Sequence, residues 1–241
     1  MLVCLLAEGV FCQSSQKDFA IHAPTNIDSL QSMTVWASYY YMHQFTSGGN
    51  IEIVDANGNP TGLYADTCNF CEAVLSGSAM VKDSNGKKRR INYAGRGTVS
   101  RVDCRKCEKL AHGGLNVDSW GRAVWNVSAG FGKGVGSYKL IPYRTIAVDK
   151  NTIPYGTILF IPAARGVRIT LPGGKKTVHD GYFFAADKGG AVHNNHIDIF
   201  TGTHRSNPFK NFATSNKNRT VDAYIVTEKP VVDLITKIQT R

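Results

Sequence analysis

Short apolar or alternating runs, separated by Gly, Pro and Asn, recur along the chain and predict mostly β-strands. The aromatic run MTVWASYYYMHQF at 33–45 is typical of a single strand. The segment NIEIVDANGNPTGLY at 50–64 alternates around an NGNP turn, and a later segment alternates around SNGK at 84–87. Each of these two segments predicts a β-hairpin, because such turn residues join neighbouring antiparallel strands.

From residue 139 onward, the pattern predicts further strands, one more hairpin and a helix. A continuous apolar run indicates a buried strand, whereas Pro in the first turn followed by helical apolar spacing indicates a helix. The segments are KLIPYRTIAVD (139–149), TILFIPAA (157–164), GVRITLPGGKKTVHDGYFFAAD (166–187), HIDIF (196–200), RTVDAYIVT (219–227) and the helical PVVDLITKIQT (230–240). Together they predict an all-β, barrel-like domain with a short C-terminal helix.

The composition is that of an ordinary globular protein, with 241 residues of which 42% are hydrophobic and 19% charged. The formal charge of +10 at pH 7 favours a polyanionic partner, such as nucleic acid, an anionic membrane or an anionic cell-wall polymer. We expect no nucleic-acid partner, since no recognition motif accompanies the charge. The concentrated run GKKRR at 86–90 lies in a turn region and is interpreted as a solvated hairpin tip.

The N-terminal segment is apolar, but no stretch of the sequence reaches the length of a transmembrane helix. The first residues, MLVCLLAEGVFCQSSQ, lack the basic region of a signal peptide, because the first basic residue is Lys17. We interpret residues 1–20 as the remnant of a signal sequence or a disordered leader. Residues 21–241 are predicted to form one domain.

Four of the six cysteines form two C-x-x-C motifs, CNFC with Cys68 and Cys71, and CRKC with Cys104 and Cys107. Such a pair of pairs is typical of a structural zinc site in the cytosol, whereas in an exported chain it favours two disulfides. We favour cross-pair disulfides that close an insertion at about 66–110. A redox-active C-x-x-C is disfavoured, because neither motif is predicted to follow a strand and open a helix.

Two acids are candidates for chemistry because apolar residues flank each of them. Asp187 and Asp198 stand eleven residues apart in AADKGGAVHNNHIDIFTG, on either side of a Gly-Gly turn. A carboxyl in an apolar setting, or beside a second carboxylate, keeps its proton to a higher pH and can protonate a leaving oxygen. The alternative is that each Asp braces a turn through hydrogen bonds.

Three motifs in order, LIPYRTIAVDKNTIPYGTILFIP, FFAADKGGAV and HIDIFTG, resemble the three-aspartate (3D) domain of membrane-bound lytic transglycosylase A and of smaller secreted cell-wall enzymes. The resemblance covers residues 135–202 and implies a double-psi β-barrel. It identifies the three acids as Asp149, Asp187 and Asp198. It implies that Asp198 is the catalytic acid and that Asp187 lies in the same cleft, whereas Asp149 is expected to brace its turn.

The resemblance also implies a function, which is cleavage of the β-1,4 bond between N-acetylmuramic acid and N-acetylglucosamine by a lytic transglycosylase. A lysozyme-like hydrolase at the same site and a non-catalytic wall-binding barrel are the alternatives. The expected partner is the glycan strand of peptidoglycan, and the protein is expected to be an exported monomer in the periplasm, the cell envelope or the medium. No cofactor or metal is expected: His193 and His196 lie near the acids, but no third ligand is marked.

Four residues are candidate substrate contacts. Lys188 can bind substrate carboxylates, His193 lies near the acids, and Tyr39 and Tyr41 can stack on sugar rings. Alternate members of a strand point inward, so about half of the aromatic run is expected to lie in the core. The cysteine-bearing insertion is a candidate for one wall of the groove.

Overall fold

The computed structural model describes residues 16–111, 114–128 and 130–240, and most of the predicted leader lies outside them. The strands are β1 Ser32–Tyr40, β2 His43–Thr46, β3 Ile51–Val54, β4 Pro60–Ala65, β5 Ser78–Lys82, β6 Lys88–Arg96, β7 Ala123–Ser128, β8 Thr145–Val148, β9 Ile158–Phe160, β10 Arg168–Thr170, β11 Lys176–Val178, β12 Tyr182–Asp187, β13 His196–Phe200 and β14 Thr220–Ile225. The α-helices are α1 Thr67–Leu75, α2 Glu108–Ala111 and α3 Lys229–Thr240. The predicted mostly-β fold with a C-terminal helix is confirmed.

Six strands close into a barrel in the order β1-β13-β8-β12-β9-β14. Two neighbouring pairs, β1 with β13 and β8 with β12, are parallel, and the other neighbours in the ring are antiparallel. Fully buried side chains such as Val35, Ile146, Phe183, Ile197 and Ile199 fill the interior. Because successive side chains of a strand point to opposite faces, the residues between these are available to the outer face.

A second unit with its own core is formed by residues between His43 and Ser128. It consists of the sheet β2-β5-β6-β7, the hairpin β3-β4 and helix α1, and Trp125 lies at its centre. The cysteine-bearing segment predicted at about 66–110 lies inside this larger unit. The pattern at 33–45 hides the boundary, because the chain leaves the barrel after Tyr40 and enters the new sheet at His43 without an interruption in the aromatic run.

The four paired cysteines form two disulfides, Cys68–Cys107 and Cys71–Cys104. The favoured cross-pair arrangement is confirmed, and the sulfurs are not zinc ligands. Contrary to the prediction that neither motif follows a strand and opens a helix, Cys68 and Cys71 lie in α1, directly after β4. The partner of each cysteine nevertheless lies in the other motif. Two disulfides fit an oxidising environment outside the cytoplasm.

Most other predicted elements are present with shorter bounds. The three predicted hairpins are β3-β4, β5-β6 and β10-β11. The strand predicted over 139–149 is reduced to β8, because a turn containing Tyr143, with a positive φ of 65°, precedes it. The strand predicted over 157–164 ends at Phe160, and Pro162 begins a 3-10 turn. In the part of the chain that the structure describes, no helix is both long and apolar enough to cross a bilayer.

A buried ion pair ties the N-terminal end of the described chain to the barrel. Arg144 and Asp180 are joined by two hydrogen bonds of 2.8 and 2.9 Å. Arg144 also donates to the carbonyl oxygen of Asp18 and lies 4.5 Å from the ring centre of Phe19, and Asp180 accepts the backbone N–H of Ile21 at 3.3 Å. The last residues of the predicted leader, 18–20, therefore begin a segment that packs on the barrel.

A bulge in β12 is covered by the glycine-rich segment 130–138. The register of β12 against β8 shifts between Ala185 and Asp187, which leaves Ala186 as an extra residue. The backbone N–H of Val135 donates to the carbonyl oxygen of Ala186 at 2.7 Å. A Cβ at Gly134 would lie 2.0 Å from the same oxygen, so glycine is required for this close approach.

Candidate active site

Four residues form a row across four neighbouring strands of the barrel. Ser38 on β1 is paired with Asp198 on β13, Asp198 is paired with Ala147 on β8, and Ala147 is paired with Asp187 on β12. Ala147 is only 3% exposed and places a single methyl group between the two acids. Since neighbouring strands lie about 4.8 Å apart, the Cα atoms of the two acids are separated by roughly 10 Å.

Asp187 joins this row because of the bulge in β12. Ala185 points into the barrel interior together with its partner Ile146, and regular alternation would point Asp187 inward as well. The extra residue Ala186 reverses the alternation, so Asp187 shares the outer face with Asp198. Bulges commonly re-aim a side chain in this way next to active sites.

Asp198 is a partly exposed carboxyl between two inward-pointing isoleucines, Ile197 and Ile199. Burial raises the pKa of Asp198 from 3.8 to about 6; the hydrogen bond from Ser38 lowers it, and the charge of Asp187 raises it further. Ser38 Oγ donates to Asp198 Oδ1 at 2.7 Å. Asp198 therefore retains its proton to a pH well above that of an ordinary aspartate.

Asp187 accepts more hydrogen bonds from the described residues than Asp198 does. Burial raises the pKa of Asp187, while hydrogen bonds from Tyr40 and from the backbone of Lys188, and the charge of Lys188, lower it. The Tyr40 hydroxyl donates to Oδ2 at 2.5 Å, and the backbone N–H of Lys188 donates to Oδ1 at 2.9 Å. Burial outweighs these groups, so the pKa of Asp187 is raised as well, but its carboxylate form is stabilised by two hydrogen bonds and a nearby cation.

Tyr40 is a site residue that the sequence analysis did not select. Burial, followed by the charge of Asp187, raises the pKa of the Tyr40 phenol well above 10.0, so it remains a hydrogen-bond donor. Its ring packs against Phe200 with 5.1 Å between ring centres. The available signal was strand alternation: Tyr40 has the same parity as Ser38, which pairs with Asp198, whereas Tyr39 has the opposite parity.

The predicted substrate contacts lie in different surroundings. Tyr39 is partly buried and packs against the interior core of the barrel, on the opposite face from Asp198, and its role as a sugar contact stays a prediction. Tyr41 is partly exposed beyond the end of β1, with the Arg205 guanidinium 5.5 Å from its ring centre. Lys188 and His193 are exposed on the connection between the two acids.

Asp149, the first acid of the three motifs, holds two loops together. Its Oδ1 accepts the backbone N–H of Asn151 at 3.0 Å, and its Oδ2 accepts the backbone N–H of Asn194 at 3.0 Å. These hydrogen bonds lower the pKa of Asp149. Asn194 adopts a left-handed conformation with φ 56°, which Asn tolerates better than most residues. Asp149 thus connects the end of β8 to the segment between Asp187 and Asp198.

The arrangement is suited to general acid–base chemistry on a substrate at the outer face of the barrel. Within the described ranges, no group of three or more His, Cys, Asp or Glu side chains is placed to hold a metal ion. Both carboxyls have raised pKa values, and that of Asp187 also accepts two hydrogen bonds. Such a pair can donate a proton to a leaving oxygen and stabilise the positive charge that develops at the reacting carbon.

Comparison with known families gives a match over the part of the chain that carries these acids. Residues 144–212 match the sequence profile of the 3D domain, and this stretch contains Asp149, Asp187 and Asp198. No curated protein matches the chain in sequence. The match therefore covers the three consecutive acid-bearing segments and leaves the second unit outside it.

Several solved structures are similar to the chain at low identity. MltA from E. coli with bound chitohexaose has a TM-score of 0.49 and 16% identity, over 80% of this chain and 71% of that chain. A membrane-bound lytic murein transglycosylase from Agrobacterium tumefaciens has a TM-score of 0.48 and 15% identity, over 83% and 75%. The lytic transglycosylase LtgG of Burkholderia pseudomallei has a TM-score of 0.37 and 18% identity, over 80% and 71%.

Proposed function

Starting from the 3D domain at residues 144–212, we propose that this protein is a peptidoglycan lytic transglycosylase. Its substrate is the β-1,4 bond between N-acetylmuramic acid and N-acetylglucosamine. The observation that carries the proposal is Asp198, a partly exposed carboxyl whose pKa is raised to about 6. Asp198 is paired with Ala147, which is paired on its other side with a second acid, Asp187. Glycoside cleavage requires such an acid to protonate the leaving oxygen.

In the proposed reaction, Asp198 acts twice. It first transfers its proton to the glycosidic oxygen as the bond from that oxygen to C1 of the muramyl residue breaks, and N-acetylglucosamine leaves with a free 4-hydroxyl. The muramyl C6 hydroxyl then bonds to C1, and its proton passes to the Asp198 carboxylate. The product is a 1,6-anhydromuramyl end, no water is consumed, and Asp198 is again protonated.

Asp187 has a different proposed role, which is to carry negative charge beside the oxocarbenium-like transition state. The hydrogen bonds from Tyr40 and Lys188 favour its carboxylate form. That charge also opposes ionisation of Asp198. Ala147 between the two acids contributes only a methyl group, which leaves room for a sugar ring to approach both carboxyls.

The proposal extends to fold type and location. Two parallel strand pairs, β1 with β13 and β8 with β12, in an otherwise antiparallel ring of six strands support a double-psi β-barrel. The disulfides and the formal charge of +10 support an exported protein that binds an anionic wall polymer in the periplasm or outside the cell. The proposed partner is the peptidoglycan glycan strand, bound by a monomer.

The test is release of soluble fragments from purified sacculi by the protein and by Asp198→Asn. We expect the variant to lose at least about 1,000-fold in rate, because it keeps the shape of the side chain but cannot donate or accept the proton. Asp233→Asn is the matched control, since Asp233 is an exposed acid on α3 that pairs with Lys229. If Asp198→Asn releases fragments as fast as the parent protein, the proposal fails; if the parent binds sacculi without releasing fragments, the wall-binding alternative replaces it.

A further inference from the structure

Two side chains behind Asp198 form a hydrogen-bonded chain that the proposed reaction does not yet use. Ser38 Oγ lies 2.7 Å from Asp198 Oδ1 and 2.7 Å from His196 Nε2. The strand register creates this geometry, because β1 and β13 are parallel and pair Ser38 with Asp198 and Trp36 with His196. The three groups therefore lie in the order Asp198, Ser38, His196 along one face.

His196 is held in a fixed orientation. It is 6% exposed, and its ring stacks on Trp36 with 3.5 Å between ring centres and 6° between ring planes. Its Nδ1 lies 3.4 Å from the carbonyl oxygen of Ala191. Burial lowers the pKa of His196, so the ring is neutral at neutral pH and carries one N–H.

Resting on the proposed function, in which Asp198 is the general acid, we propose that Ser38 and His196 are positioning residues that direct the catalytic proton to Oδ2 of Asp198. His196 Nε2–H donates to Ser38 Oγ, and Ser38 in turn donates its single proton to Asp198 Oδ1. Oδ1 is thereby engaged as an acceptor. The proton of the neutral carboxyl is left on Oδ2, the oxygen that Ser38 does not bind.

The other tautomer of His196 would reverse the chain. With the proton on Nδ1, Ser38 would donate to Nε2, and Asp198 would have to donate its own proton to Ser38 to keep the 2.7 Å contact. The proton would then point away from the substrate. The Nδ1 to Ala191 distance of 3.4 Å is longer than a normal N–H···O hydrogen bond of about 2.7–3.2 Å, so a proton on Nδ1 would gain only a weak hydrogen bond there. Ser38 gives its single proton to Asp198 Oδ1, which leaves Nε2 as the donor in the 2.7 Å contact with Ser38 Oγ.

The same chain serves the second half of the reaction. After Asp198 has given its proton away, the hydrogen bond from Ser38 to Oδ1 stabilises the carboxylate until the C6 hydroxyl returns a proton. The titratable groups around the pair act on each end separately: the charge of Asp187 raises the pKa of Asp198, His193 lowers the pKa of His196, and the Tyr40 hydroxyl is directed to Asp187.

Carboxyl and imidazole NMR titrations of the free protein test this proposal without substrate. We expect the Nε2–H tautomer at His196 in the parent protein. We expect the pKa of Asp198 to rise by about one unit in Ser38→Ala, because a hydrogen bond to the carboxylate is lost. His196→Phe, which keeps a stacked ring but no nitrogen, is expected to raise the pKa of Asp198 by a smaller amount. The pKa of Asp198 in the double variant is expected to be no higher than in Ser38→Ala, since both changes act on the same chain of hydrogen bonds.

Kinetics on soluble glycan fragments supply the second readout. In Ser38→Ala, the alkaline limb of the pH–rate profile is expected to move to higher pH together with the pKa of Asp198, and kcat is expected to fall while KM is unchanged. Ser38→Thr is expected to restore the pH–rate profile and kcat, because it keeps the hydroxyl. His22→Phe is the control, since His22 is exposed on the N-terminal segment. An Nδ1–H tautomer, an unchanged pKa of Asp198 in Ser38→Ala, or additive effects in the double variant overturn the proposal. Because the titrations need no substrate, they separate its failure from a failure of the proposed function, which shows in the products.

Discussion

Asp187 and Asp198 lie on either side of Ala147, each paired with that alanine across a neighbouring strand of the barrel. The pairing with Asp198 follows from regular strand geometry, but the pairing with Asp187 requires the extra residue Ala186 in β12. The bulge therefore decides whether the second acid faces the outer surface or the interior of the barrel. The glycine-rich segment that covers the bulge becomes part of the site's support.

We predict that Gly134→Ala lowers activity through the position of Asp187. The new Cβ would lie 2.0 Å from the carbonyl oxygen of Ala186, a backbone atom that cannot move without shifting its neighbour. A displacement of about 1 Å at a catalytic group costs roughly 100-fold in rate. The measurement is kcat on glycan fragments. Gly48→Ala is the control, since a Cβ at Gly48 meets no atom within 4 Å; equal rates for the two variants would contradict this role of the bulge.

We predict that Asp198→Asn stabilises the folded protein at neutral pH. The pKa of Asp198 is about 6 in the folded state and 3.8 as a model value, so the folded state retains a proton that the unfolded state releases. Stability is therefore lost as pH rises from about 4 to about 6, by up to about 3 kcal/mol. The Asn variant lacks this loss.

The predicted stabilisation is tested by thermal unfolding of the parent protein and of Asp198→Asn between about pH 3.5 and about pH 7.5, a range that brackets the window from about 4 to about 6. The difference in Tm is expected to be near zero at the acid end, to grow through the window and to level off above it. The charge of Asp187, which opposes ionisation of Asp198, contributes to this difference, because only the parent protein places a second carboxylate beside it. A Tm difference that is constant across the range would show that Asp198 does not carry the raised pKa.

We predict that Tyr40→Phe lowers kcat by about 10- to 100-fold. The variant keeps the ring contact with Phe200 but removes the 2.5 Å hydrogen bond to Asp187, and a hydrogen bond to a charged group contributes about 1.5–3 kcal/mol. The pKa of Asp187 rises further, which removes negative charge from the neighbourhood of Asp198. The measurement is kcat with the Tm recorded in parallel. Tyr64→Phe, in the second unit, is the matched control, and an unchanged kcat in Tyr40→Phe would exclude this role.

We predict that the disulfides stabilise the second unit more than the barrel. The bridges close segments with sequence separations of 39 and 33, for which loop entropy gives about 4 kcal/mol each when taken singly. Hydrogen exchange of Cys68→Ser/Cys107→Ser is expected to show reduced protection in the sheet β2-β5-β6-β7 and nearly unchanged protection in β8 and β13. Equal loss of protection in both units would mean that they unfold as one.

The sequence predicts the barrel strands and their acids well because the signals are local. HIDIF alternates cleanly, and Ile197 and Ile199 fill the interior while Asp198 faces out. The three hairpins are marked by turn residues, and the cross-pair disulfides join the cysteines of two C-x-x-C motifs that the sequence shows directly. These features require no knowledge of distant contacts.

The features that the sequence analysis missed depend on contacts between distant segments. Tyr39 was preferred to Tyr40 because the run of three tyrosines does not reveal which members face Asp198; only the register of β1 against β13 does so. The second unit was underestimated because β1 and β2 share one apolar run. The bulge at Ala186 leaves no mark in FFAAD, since its partner Val135 is fifty-one residues earlier in the chain.

The most direct test of the central claim is the mass of the muropeptides that the protein releases from sacculi. If the Asp198 carboxylate takes the proton of the C6 hydroxyl, the muramyl ends are 1,6-anhydro sugars, which are lighter by one water than reducing ends and do not react with borohydride. Asp198→Asn is then expected to release neither kind of end. Reducing muramyl ends would show that water attacks C1 and that the protein is a hydrolase at the same site. Release of anhydro ends by Asp198→Asn at the parent rate would contradict the account altogether.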